Sequence, residues 1–232
     1  MRLQSKRILK NCVNRFRTLS KTISHGNLII VSGPSGAGKS ALVSGVLRSM
    51  NHIRFSVSYT TRAPRGKEQD GKEYNFVNRD TFQSLIRDDA LLEWAEVHDN
   101  YYGTSREFVD DLLENGEDVI LDIDVQGAQT IRRKRPETIS VFVMPPSFNV
   151  LRERLERRRL DEGLVIKQRL KRACNEIHFY EEYDYLIVND DLDISIRELE
   201  AIISGTRCRT ASRMDAARSV LASFGGIDAE NP

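Results

Sequence analysis

Eight residues, Gly33-Pro34-Ser35-Gly36-Ala37-Gly38-Lys39-Ser40, fit the spacing G-x-x-x-x-G-K-[ST] and follow the apolar run NLIIVS, Asn27 to Ser32. Leu42, Val46 and Leu47 then recur at helical spacing, so the pattern predicts strand, tight turn and helix in immediate succession. The glycines let successive backbone N–H groups point at one centre, and the N-terminus of the following helix adds to the same field. Such a turn holds an anion. At this spacing Lys39 reaches the β- and γ-phosphates of a nucleoside triphosphate, and the Ser40 hydroxyl ligates Mg²⁺. Ala41 stands where many such loops carry threonine, a side chain the magnesium argument does not use. The loop alone leaves GTPase, ATPase and kinase open.

Three more apolar runs read as buried strands: Asp118 to Asp124, Thr138 to Met144 and Tyr183 to Asp190. Between them lie helical patterns over Ser105 to Asn115, Val125 to Lys134, Ser147 to Arg159 and Leu164 to Tyr180. Apolar strands alternating with helices predict an α/β fold, a three-layer parallel sheet flanked by helices. Residues 54–104 break the pattern with short strand-like pieces, turns and one helix near Arg79 to Asp88, which suggests a mixed α+β insertion, plausibly antiparallel. The expected organisation is a basic extension over 1–26, a domain over 27–205 and a tail over 206–232. Within the domain the core is 27–53 and 117–205, and a helical lid occupies about 151–170. The tail is expected to be a helix that decays toward the end.

Charge narrows the partners. The 35 basic and 34 acidic residues balance, which gives no overall case for nucleic acid. No apolar run approaches the roughly 18 residues of a membrane helix. The first 25 residues are the exception, with Arg2, Lys6, Arg7, Lys10, Arg15, Arg17 and Lys21 and no acid. Basic, acid-poor and partly amphipathic, this arm reads as a loosely packed extension or a transit peptide. Cys12, Cys174 and Cys208 are scattered and form no C-x-x-C pair, which fits a reducing, cytoplasmic setting without disulfides or zinc.

The insertion carries the next clue. Arg62 and Arg65 flank Pro64, with Tyr74 further on. Proline restricts its neighbour to extended geometry, so the two guanidinium groups form a semi-rigid array suited to a second phosphate. Further along, EWAEVHDNYYGT offers Glu93, Tyr102 and Thr104. A carboxylate only accepts, so it suits the N1 and N2 donors of guanine, whose O6 accepts from a hydroxyl. Read alone, Arg62 and Arg65 are equally a solvated basic loop and Glu93 an exposed strand residue. Asp122 and Asp124 sit two apart at a strand end, hence on one side and toward the edge where nucleotides bind. Each on its own also reads as a turn carboxylate or a helix cap.

Taken in order, GPSGAGKS, SVSYTTRAPR, DGKEYNFV, EWAEVHDNYYGT, ILDIDVQGA, RLERR and IVNDDLD resemble the guanylate kinase family over about Asn27 to Gly205. The resemblance implies transfer of the γ-phosphoryl of ATP to GMP, and to dGMP, with Mg²⁺ as cofactor. It implies that Gly33 through Ser40 hold ATP, with Asn189 near the adenine. Arg62, Arg65, Tyr74 and Tyr102 would hold the GMP phosphate, Ser58, Glu93 and Thr104 would read guanine, and Asp124 would face GMP. Asp122 would organise Mg²⁺ through water, and Arg154, Arg158 and Arg169 would close over the ATP phosphates beside Lys39.

Three positions depart from the family pattern: Thr104 where some members have serine, Gly66 displaced by one, and Arg159 where glycine is common. A non-enzymatic module of the same family that binds phosphorylated peptides is one rival, although such modules usually lose the lysine present here as Lys39. A kinase for AMP or dTMP is the other. Monomer and homodimer both remain open.

Overall fold

The computed structural model describes residues 25–97, 99–157 and 163–224. The arm over 1–24, Arg158, Arg159 and the end of the tail lie outside these residues. Five strands form one sheet in the order β2 (Ile53–Phe55), β7 (Asp118–Asp122), β1 (Leu28–Ser32), β8 (Ile139–Met144) and β9 (Tyr185–Val188). Every neighbouring pair is parallel.

All five residues of β1 are buried because each face meets a different layer. Ile29 and Val31 pack with Ile120, Val141 and Val143, beneath Leu42 and Val46 of α1 (Lys39–Ser49) and Leu199 and Ile203 of α7 (Leu192–Arg207). Leu28 and Ile30 face the other way, with Val119 and Leu121. There they meet Val109 and Leu113 of α3 (Arg106–Glu114) and Ala128 and Ile131 of α4 (Val125–Lys134). Strand period two thus divides one apolar run between two cores. Each such side chain contributes about 1.5–3 kcal/mol by leaving water.

Topology locates the crevice. From β1 the chain crosses through α1 to the edge strand β2, and later returns to place β7 on one side of β1 and β8 on the other. The carboxyl end of β1 is therefore a switch point, where open α/β sheets bind ligands. Two further helices, α5 (Phe148–Arg157) and α6 (Gly163–Glu176), occupy the expected lid region and meet through Leu151, Leu155 and Ala173. Among the described residues, no helix is long and apolar enough to cross a membrane.

A second sheet has the order β4 (Asn75–Phe76), β3 (Tyr59–Thr60), β6 (Asn100–Ser105) and β5 (Leu91–Val97). It is mixed rather than antiparallel throughout, because β3 and β4 run parallel. Phe82 of α2 (Arg79–Arg87) is fully buried beneath it and stacks on Tyr101, 5.4 Å between centroids. Arg54 and Phe55, expected in the insertion, belong to β2 of the main sheet, a strand too short to show a period.

The expected tail boundary at residue 206 falls inside α7. Arg207, one residue later, donates through Nε to Asp118 Oδ2 at 2.7 Å, and through Nη2 to the carbonyls of Asn51 and His52. Asp118 Oδ1 accepts from the backbone and side chain of Asn27, at 2.7 and 2.8 Å. One buried carboxylate thereby ties the start of β1, the start of β7 and the end of α7. A final helix, α8 (Met214–Phe224), follows, and the chain past it lies outside the described residues. Asp118→Ala removes the carboxylate that Arg207 and Asn27 share and is expected to lower the unfolding free energy by about 3 kcal/mol in urea titration.

Candidate active site

The glycine loop turns back over the end of β1. Gly38 has φ of 97°, and a methyl group there would sit 2.2 Å from Asn189 Nδ2. Both facts demand glycine. Asn189 Nδ2 donates to Ala37 O at 2.7 Å, and Arg154 donates to Ala37 O at 3.3 Å and to Asn189 O at 2.9 Å. Two side chains from β9's end and from α5 thus share one loop carbonyl. Asn189 is buried behind the loop, at 3% exposure, and its amide braces Ala37.

Lys39 Nζ donates to Gly33 O at 2.8 Å and Pro34 O at 3.3 Å, and stands 4.0 Å from Asp122 Oδ1. Ser40 Oγ donates to Asp122 Oδ2 at 2.7 Å. A hydroxyl and a carboxylate from two elements converge beside the loop, a hard-oxygen pair suited to Mg²⁺ that keeps most of its water. Among the described residues no group of three or more acidic, His or Cys side chains could hold a metal by itself. Phosphate oxygens and water would have to complete such a site.

Arg62 is 9% exposed, with its guanidinium 5.2 Å from the Tyr74 ring centroid and 5.9 Å from that of Phe76. Burial works against its charge, but hydrogen bonding to Glu68 and the proximity of Tyr102 leave its pKa raised. Tyr74 and Tyr102 meet edge to face at 5.8 Å. Burial raises the Tyr74 hydroxyl's pKa, with further pushes from Tyr102 and from Asp122 at the end of β7. Arg65 is exposed on the same turn. Ser58 is half-buried between β2 and β3, and its carbonyl accepts from Asn75 N.

Glu93 and Thr104 are cross-strand partners on β5 and β6, both buried. Thr104 Oγ1 donates to Glu93 Oε1 at 2.7 Å. That bond uses the threonine's only proton, so Thr104 orients Glu93 here. Behind Glu93, a methyl group on Gly127 would sit 2.9 Å from Oε2. The first turn of α4 therefore presses on this carboxylate. Burial raises its pKa to about 7. The Thr104 bond and Lys134 pull down and Asp124 pushes up, so desolvation wins over the attractive partners.

Asp122 ends β7, whereas Asp124 lies beyond the strand and caps α4 by accepting from Gly127 N at 2.9 Å. Strand alternation does not apply to it, yet the cap leaves it at the same sheet edge. Its other oxygen accepts from Arg172 Nη2 at 3.5 Å, and Arg172 Nε donates to Glu176 at 2.7 Å. Arg169 is half-buried on α6, and Arg158 lies outside the described residues.

Two participants escaped the sequence. Arg172 was indistinguishable from the solvated arginines around it. Glu68 follows Arg65 by three residues, a spacing that signals a turn pair only once the turn is known.

A parallel sheet with a phosphate loop at its switch point, an Asp–Ser pair beside it and an insertion carrying a buried arginine among tyrosines is the arrangement of a phosphate-loop phosphotransferase. A family model described as guanylate kinase matches residues 25–206. The chain belongs to the guanylate kinase family. A guanylate kinase from Shewanella sp. (strain MR-7) is 48% identical over 199 residues, covering 85% of this chain and 96% of that one. Another, from Alkalilimnicola ehrlichii, is 50% identical over 184 residues, covering 79% and 91%. The crystal structure of guanylate kinase from Anaplasma phagocytophilum aligns with a TM-score of 0.73 at 34% identity, covering 88% and 98%.

The Glu93 carboxyl gives a stability test. Its pKa rises from 4.5 to about 7 on folding, so between those values the folded state keeps a proton that the unfolded chain releases. Stability from this group therefore falls as pH rises through that window, by at most roughly 1.4 kcal/mol per pH unit, and levels off above it. Glu93→Gln is expected to remove this component, read from urea unfolding at pH values between about 5 and about 8.

Proposed function

We propose that this protein transfers the γ-phosphoryl group of ATP to GMP, and to dGMP, giving ADP and the corresponding diphosphate. What supports this reading is the presence in one chain of two unlike groups of residues. One is a loop built for a triphosphate. The other combines arginine and tyrosine donors with the buried, acceptor-only carboxylate of Glu93. Guanine offers adjacent N–H donors to such a carboxylate, whereas adenine, whose N1 accepts, has no such pair and would leave Glu93 with Thr104 alone. The family relatives support the same reading.

In this reading Gly33 through Ser40 cradle the ATP phosphates, and Lys39 exchanges its loop carbonyls for phosphate oxygens as the nucleotide enters. Mg²⁺ bound with ATP would be held by Ser40 and, through water, by Asp122, and would neutralise charge on the phosphates. Arg62, Arg65, Tyr74 and Tyr102 hold the acceptor phosphate in line. Ser58 takes over the hydroxyl contact to the guanine O6, since the Thr104 proton is committed to Glu93. Arg154, Arg158 and Arg169 supply positive charge from the donor side, and closure of both sides excludes water that would otherwise consume ATP. Phosphoryl transfer needs this positioning and charge more than it needs a base.

A coupled assay of ADP release across GMP, dGMP, AMP, CMP and dTMP is expected to show turnover with the two guanine nucleotides only. Turnover of AMP without GMP overturns the assignment of Glu93. Lys39→Ala is expected to lower kcat by about 10²-fold or more, while calorimetry with GMP alone gives wild-type affinity. Loss of GMP binding in that variant overturns the division into donor and acceptor sites.

A further inference from the structure

Glu68 has no role in the reading above, yet it makes the most complete set of charged contacts on the insertion. Oε2 accepts from Arg62 Nη1 and Oε1 from Arg62 Nη2, both at 3.0 Å, so the carboxylate lies squarely on the end-on edge of the guanidinium. Oε2 also accepts from the backbone N–H of Arg65 at 2.8 Å, and Glu68 N donates back to Arg65 O at 3.1 Å. One side chain thus closes the turn carrying both arginines. The hydrogen bonds from Arg62 hold its pKa below the usual carboxylate value, so it is ionised across the neutral range.

Counting donors assigns the rest. A guanidinium has five N–H groups in a fixed plane. In Arg62 two go to Glu68, and a third, on Nη1, goes to Ala63 O at 2.7 Å. What remains is Nε–H and the second Nη2–H, which together form the side-on fork. That fork matches two oxygens of a phosphate as well as the end-on one does. The Tyr102 hydroxyl also hydrogen-bonds Arg62, so a phosphate that takes the fork would meet the guanidinium together with that hydroxyl. The Tyr74 ring at 5.2 Å covers a face of the plane.

We infer that Glu68 is a positioning residue for the acceptor phosphate: by taking the end-on edge of Arg62 and the amide of Arg65 it aims the side-on fork of Arg62 at that phosphate. The inference deepens the proposed reading and rests on it. Glu68 does not touch the acceptor, and its negative charge by itself opposes an anion. Its benefit is orientation, which outweighs that repulsion because the pair it makes is bidentate and half-sheltered, whereas Arg65 is left exposed to receive charge.

The test compares GMP with guanosine, which lacks the phosphate, by calorimetry without ATP. Wild type is expected to bind GMP more tightly than guanosine. Glu68→Ala is expected to lose at least about tenfold of that phosphate increment while guanosine affinity stays within about twofold. Glu68→Asp, too short to reach Arg62 and the Arg65 amide together, should recover part of the increment. Glu68→Gln, which keeps the shape but turns a donor toward Arg62, should behave like Ala with a thermal midpoint closer to wild type. An unchanged or larger increment in Glu68→Ala and Glu68→Gln overturns the inference, because Glu68 then merely occupies the fork. Equal loss for GMP and guanosine overturns it also, since that reports a distorted insertion. If wild type itself binds GMP no better than guanosine, the acceptor reading fails first.

Discussion

The central position of β1 is the constraint on which the site depends. Its residues pair in parallel with β7 on one edge, Val31 opposite Asp122, and with β8 on the other, Ser32 opposite Phe142. A parallel strand flanked on both sides and covered by helices must be apolar on both faces. The loop that follows has no room to wander: a methyl group at Gly33 would lie 2.2 Å from Val143 O. Asp122 is delivered to Ser40 by the same register. Burial of one five-residue strand therefore sets the distance between a hydroxyl, an ammonium and a carboxylate that lie more than eighty residues apart in two cases.

The insertion is organised differently, through buried charge. Arg62 is tolerated in a nearly closed position because Glu68 neutralises it and aromatic faces surround it. Glu93 has no comparable cation. Lys134 spends its ammonium on Leu92 O at 2.8 Å and acts on Glu93 only at a distance, so desolvation keeps the carboxyl near its titration point. In one case a buried charge is stabilised by a bidentate partner. In the other it is left short of partners, and desolvation raises its pKa.

Much of this was legible beforehand. The runs from Asn27, Asp118, Thr138 and Tyr183 all became strands of one parallel sheet, and the helix over Val125–Lys134 has the bounds its pattern indicates. Long apolar or amphipathic segments announce themselves because burial demands a period. Strand β2, three residues long, has no period to read, and the parallel pairing of β3 with β4 depends on a turn between them rather than on either strand. Asp124 looked like a strand residue by alternation, but the hydrogen bond from Gly127 N made it a cap.

Local order in the chain determined which groups are present: a glycine loop followed by Lys39 and Ser40, an arginine pair around Pro64, and carboxylates at a strand end. Those features depend on neighbours within a few residues, where backbone geometry and periodicity act directly. Only the tertiary structure decided how the groups are used. Thr104 became the donor that orients Glu93, Asn189 became the brace of Ala37, Glu68 became the partner of Arg62, Arg172 that of Asp124, and Arg207 became an anchor for Asp118. Each outcome turns on which donor reaches which acceptor across the fold, a question of distance that no local pattern encodes.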